Sequence, residues 1–136
     1  MSLALIRKAL EKRLLSMPSG LTTVPENTSY TPVADTPYQV AYLFPLNPEN
    51  PTFGDKYYRE EGIFRVMLMY PNKKGTGSIQ IKAEAIKDYF YRSLTLTEGS
   101  VQVIIEKTPS VSSGKVIDDR YSVNVDIKYF CSILKP

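Results

Sequence analysis

The stretch that most constrains this chain is Ile63-Phe64-Arg65-Val66-Met67-Leu68-Met69-Tyr70, an apolar run broken by a single charge and closed by Pro71. Its alternation places Phe64, Val66, Leu68 and Tyr70 on one face of a strand and Ile63, Arg65, Met67 and Met69 on the other. With only one charge in the run, the strand is predicted to sit centrally with most of both faces covered. Pro71 ends it because proline has no N–H to give to a ladder. Gly75 and Gly77 permit a tight reversal, and Ser78 is the predicted N-cap of a following helix. Along that helix Ile79, Ala83, Ile86 and Phe90 recur at helical spacing, a stripe suited to lie back across the sheet. A central strand feeding a covering helix is the core of a small α+β domain.

The other elements follow from the same two periods. Residues 2–16 predict an amphipathic helix with Leu3, Ile6, Leu10 and Leu14 in one stripe, ended by Pro18 and Gly20. Pro25 confines any strand near Thr22–Glu26 to an edge. Tyr38 to Phe44 alternate up to Pro45, as do Val101, Val103 and Ile105. The segment from Tyr121 through Tyr129 has the cleanest alternation, with Val123, Val125 and Ile127 pointing inward and Cys131 continuing that face. Between these lie three segments predicted to be irregular: Pro45 to Tyr58 with its prolines and aromatics, Ser93–Ser100, and a loop over Thr108–Asp119. At 136 residues, positions 1–136 are predicted to form a single domain that buries roughly two-thirds of its unfolded surface.

Several classes of chemistry are excluded by what the chain lacks. There is no histidine and one cysteine, which removes Ser-His-Asp and Cys-His catalysis, histidine-containing zinc sites, thiolate clusters and an intramolecular disulfide. Lys73-Lys74-Gly75-Thr76-Gly77 precedes a helix but lacks P-loop spacing, in which lysine follows the last glycine directly. Glu60-Glu61 and Asp118-Asp119 are adjacent carboxylates, predicted to occupy turn or edge positions on a solvated surface. An enzyme is not expected, and no metal or cofactor is expected either. The net charge of +3 is mild and has no basic arm behind it, unlike a dedicated nucleic-acid binder. No segment reaches the apolar length of a membrane span. Leu3 to Ile6 is followed at once by Arg7 and Lys8, so no signal peptide is expected, and the reducing cytoplasm is the expected place of folding.

The order of short phrases along the chain resembles a known family. They begin with Ile6-Arg7-Lys8-Ala9-Leu10 and Arg13-Leu14, then Glu26-Asn27, Tyr30-Thr31-Pro32 and Thr36-Pro37-Tyr38. Leu43-Phe44-Pro45, Asn50-Pro51-Thr52-Phe53-Gly54 and Tyr58-Arg59-Glu60-Glu61-Gly62-Ile63-Phe64 follow, and Val66, Leu68, Tyr70-Pro71 and Lys74-Gly75-Thr76-Gly77 complete the set. In this order they resemble the phage tail terminator-like proteins, related in fold to the minor tail protein U type of long-tailed bacteriophages. The resemblance covers nearly the whole chain and lies in many weak phrases rather than one diagnostic motif.

It implies an α+β fold, a mostly antiparallel sheet of about four to five strands flanked by two helices. It also implies a homo-oligomeric ring, commonly a hexamer, that caps the tail tube, stops its polymerisation and presents a surface for head joining. The implied partners are further copies of the chain, a tail tube protein and a head-completion protein. The implied location is the head-proximal end of the virion tail, after assembly in the host bacterial cytoplasm. The rival readings are another head–tail joining protein and a monomeric binding domain.

A closed ring repeats one heterologous contact, so each subunit needs two different surfaces. The aromatics and arginine at and after the Pro45–Tyr58 segment, Phe53, Tyr57, Tyr58 and Arg59, are candidates for one of them, with Val111 and Ile117 from the later loop. Lys73 and Lys74 form a basic turn suited to solvent or to weak contact with DNA in a ring lumen.

Overall fold

The computed structural model describes residues 2–18, 21–54, 56–73 and 75–134. Among these, the order is α1 (Ser2–Leu15), β1 (Thr22–Pro25), β2 (Tyr38–Pro45), β3 (Tyr57–Pro71) and α2 (Gly77–Tyr89). Then come β4 (Thr95–Glu98), β5 (Val101–Ile105), β6 (Ser110–Val111), β7 (Lys115–Ile117) and β8 (Arg120–Leu134).

The frame is a ribbon of two 15-residue strands. β3 and β8 pair antiparallel along their whole length, from Tyr57 opposite Leu134 to Pro71 opposite Arg120. β2 adds antiparallel outside β3, and β1 lies parallel to β2 at the sheet edge, where its Pro25 is tolerated. Three short strands line up along the free edge of β8: β5 towards its C-terminal end, β6 at its middle and β7 against its start. β4 joins β5 through the two-residue turn Gly99-Ser100. Gly99 has φ +58, the backbone that a type II′ hairpin asks of its first turn residue and that glycine adopts without cost.

Both helices cover one face of this sheet. Ile6, Leu10 and Leu14 of α1 and Ile79, Ala83 and Ile86 of α2 share one buried cluster with Phe64, Val66 and Leu68 of β3 and Val123, Val125 and Ile127 of β8. The strand residues are cross-ladder neighbours: Phe64 faces Ile127, Val66 faces Val125 and Leu68 faces Val123. Each such side chain contributes about 1.5–3 kcal/mol by leaving water, and the helices add nothing comparable to the opposite face. There Arg65, the one charge in the apolar run, reaches across the ladder to Asp126 with a two-pronged contact at 2.7 and 3.0 Å. That carboxylate holds the guanidinium pKa above its ordinary value.

The α+β class, the two helices and the predicted core stand, and the strand count is higher than expected. β4, β6 and β7 fall in segments predicted to be connector or loop. They are two to four residues long and mostly exposed, so they carry no alternation, and only the edge they find on β5 or β8 makes them strands. β3 begins at Tyr57, so Tyr57 and Tyr58 belong to the ribbon and not to the irregular segment. Glu61, predicted on a solvated surface, is 8% exposed, because Arg59 and Lys128 neutralise it at 3.7 and 3.5 Å. Leu3 is exposed and the stripe of α1 runs instead through Ala9 to Met17. The N-cap of α2 is Thr76, with no side-chain cap bond, and Ser78 lies inside the helix. Gly20 lies outside the described residues.

Candidate functional site

Among the described residues no group of three or more histidine, cysteine or acidic side chains is placed to hold a metal, and no helix is long and apolar enough to cross a membrane. The candidate residues are surfaces, and the ribbon separates them. One end, where β3 starts and β8 finishes, carries the Pro45–Tyr58 segment. The other, where β3 finishes and β8 starts, carries the turn after Pro71 and the β7–β8 hairpin. At about 3.3 Å per residue, 15 residues set these ends roughly 45 Å apart.

At the first end, among the described residues, the segment after β2 is fastened at its base. The Leu46 N–H donates to the Glu61 carbonyl at 2.9 Å, and Glu49 and Arg59 exchange backbone bonds at 2.9 and 2.8 Å. Beyond that clasp the chain leaves the sheet, and the Phe53 side chain is entirely exposed. Tyr57 and Tyr58 are half-buried in the strand, the Tyr57 hydroxyl sharing a 3.1 Å hydrogen bond with Ser132. Arg59 is already committed within the molecule. Its guanidinium donates to Glu106 at 2.8 Å and lies 3.9 Å over the Phe130 ring, while Lys128 links Glu106 and Glu61 from the other side. This network holds the clasp strand rigid beneath a segment rich in prolines and asparagines. Phe53 is left as an aromatic that packs against nothing among the described residues.

At the second end Lys73 sits exposed in the turn, at φ +64 with its N–H bonded to the Asn72 side-chain oxygen. Lys74 lies outside the described residues. Ile117 is half-buried in β7 and lines a cleft of about 340 Å³ with Tyr38, Met69, Arg120 and the two aspartates of the hairpin. Arg120 closes the floor of that region by donating to the Thr36 and Val33 carbonyls at 2.6 and 2.8 Å. Val111 belongs to neither end. It sits in β6 opposite Val125, at the middle of the ribbon, and is 37% exposed. The six candidates are therefore not one patch but a first-end group, a mid-ribbon residue and a second-end residue.

The sequence reading missed a larger feature near the second end. Met17 and Pro18, just past α1, together with Tyr70 at the end of β3 and Ser78, Ile81, Lys82, Ala85 and Tyr89 of α2, line an open apolar groove of about 500 Å³. Its walls are tied together by Arg13, which donates to the Tyr89 carbonyl at 2.8 Å and lies 3.7 Å over the Tyr89 ring, and by the 2.7 Å bond between the Ser16 and Tyr89 hydroxyls. Burial pushes the Tyr70 hydroxyl pKa up and the Lys82 ammonium pKa down. One signal in the sequence marks the groove: Ile81 is a large apolar residue off the Ile79-Ala83-Ile86 stripe, and it is 73% exposed.

The ion-pair network, the exposed aromatic and the open apolar groove are features of contact surfaces. The sequence profile of the phage tail terminator protein family matches residues 5–129, and the chain belongs to that family. It is a structural protein of phage assembly and not an enzyme. Eight chains of solved structures match it; one of them superposes with a TM-score of 0.76 at 26% identity, covering 96% of each chain. Among curated proteins none matches the sequence.

Proposed function

We propose that residues 1–136 act as one tail terminator domain that assembles into a homo-oligomeric ring, a hexamer as is common in the family. The ring caps the tail tube, stops its growth and offers the head-completion protein its joining surface at the head-proximal end of the tail. The observation that carries this reading is the placement of two unlike, uncovered surfaces at opposite ends of one rigid ribbon, which is the form a head-to-tail contact requires. Phe53 with the exposed edges of Tyr57 and Tyr58 supplies one surface, framed by Arg59. The apolar groove lined by Tyr70 and Ile81 supplies the other, Ile117 lies at that same end in a separate cleft, and Val111 lies between the ends on the flank that a tube protein or neighbour would cover. The turn that carries Lys73 is left to solvent or to weak, salt-sensitive contact with DNA passing through the lumen.

The test is electron microscopy of the purified protein alone and mixed with tail tubes. Rings, and tubes closed at one end by a ring, are expected. Binding to the capsid connector with no affinity for tubes would instead make it a head-completion protein.

A further inference from the structure

We infer that the Phe53 loop of one copy docks into the groove formed by Met17, Pro18, Tyr70, Ile81, Ala85 and Tyr89 of the next copy. This deepens the ring reading and rests on it. Three observations name a second copy as the occupant. First, the loop cannot serve its own groove. Its clasp is at Arg59 and the groove's edge is at Tyr70, eleven residues along β3 and roughly 35 Å away. The four residue steps from Glu49 to Phe53 span no more than about 14 Å.

Second, the charges match. The Pro45–Tyr58 segment contains two acidic residues, Glu49 and Asp55, and one basic one, Lys56, so it is net acidic by one charge. The one charged residue lining the groove is Lys82, which forms no ion pair among the described residues; burial alone depresses its pKa. A carboxylate arriving with the loop supplies the missing partner. The other openings match less well. The second-end cleft is rimmed by Asp118 and Asp119, which repel an acidic loop. The hollow along α1 has its cations already satisfied, Arg7 by Glu26 at 2.7 Å and Lys8 by Glu98 at 3.4 Å.

Third, the sizes match. About 500 Å³ takes one phenyl ring with the flanking Pro51 and Thr52, and an aromatic anchor in an apolar pocket is the usual energetic centre of an interface. Because loop and groove are different surfaces, the contact is head-to-tail, and it closes a ring when its rotation allows.

Two variants that each add one cysteine test this, Phe53→Cys in one chain and Ile81→Cys in a mass-tagged chain; the native Cys131 is buried and leaves the reaction unchanged. Both positions are exposed, so both variants are expected to keep the wild-type circular dichroism spectrum. After mild oxidation of the mixture, a disulfide between tagged and untagged chains is expected to dominate. Phe53→Ala is expected to weaken self-association by roughly tenfold or more in sedimentation. If the mixture sediments as an oligomer but positions 53 and 81 do not cross-link, or 53 links mainly to 53, the docking inference is overturned and the ring reading survives. Cross-linking of the Phe53→Cys chain to the tube protein in place of the tagged chain also overturns it. Protein that stays monomeric alone and on tail tubes overturns the ring reading, and the inference with it.

Discussion

Gly62 and Tyr129 face one another across the β3–β8 ladder, and the pair shows what a single residue decides here. With no side chain at Gly62, the Tyr129 ring lies across the strand and is 1% exposed. A Cβ at Gly62 would stand 2.5 Å from the Tyr129 hydroxyl and 2.6 Å from the Phe44 carbonyl, and the second of these is backbone that cannot swing aside. Gly62→Ala is therefore expected to destabilise the fold by about 1–3 kcal/mol in urea denaturation. Burial, with a smaller push from Glu60, raises the Tyr129 hydroxyl pKa to about 12. The unfolded tyrosine titrates near 10, so between those values the unfolded state releases its proton first. Stability from this group is complete below about pH 10 and is lost as pH rises towards 12, with Tyr70, also raised by burial, adding to the same window. Compared at about pH 9 and about pH 11, Tyr129→Phe should lose less stability than the parent chain. An equal loss in both would show that Tyr129 ionises freely in the folded protein.

At the scale of elements, alternation carried over a long run was legible and pairing was not. Phe64, Val66, Leu68, Val123, Val125 and Ile127 could be assigned an inward face from spacing alone, and they lie together in the core with Leu10, Leu14, Ile79 and Ile86. Leu68→Ala and Val125→Ala are each expected to cost about 1–4 kcal/mol, read as a lowered urea midpoint; near-zero losses at both would put these faces outside the core. Ser110–Val111 and Lys115–Ile117 were illegible because nothing local makes them strands; they are ordered by the free edge of β8, a partner further along the chain. The same reason hid the start of β3. Glu61 looks like a surface residue until Arg59 and Lys128 are brought beside it. Candidate surface residues were legible as types, with Phe53 indeed left uncovered. Their division between two ends was not, because it depends on the register of the whole ribbon, and the groove depends on where α1 ends relative to α2.

The β3–β8 ribbon carries an exposed aromatic loop at one end and an open apolar groove near the other. Phe53 stands fully exposed and Lys82 is partly desolvated with no counter-charge among the described residues, so a second copy that covered both would bury the ring and pair the ammonium. The proposed ring would answer both at once and use every copy in the same way. Native mass spectrometry of the purified chain, with and without tail tubes, measures this most directly. The account predicts a discrete closed species, six copies of the 15.4 kDa chain, that is lost in Phe53→Ala and in Ile81→Asp while each variant stays folded. A single 15.4 kDa chain at every concentration and on tubes, or an open series of oligomers with no closed end point, would contradict it.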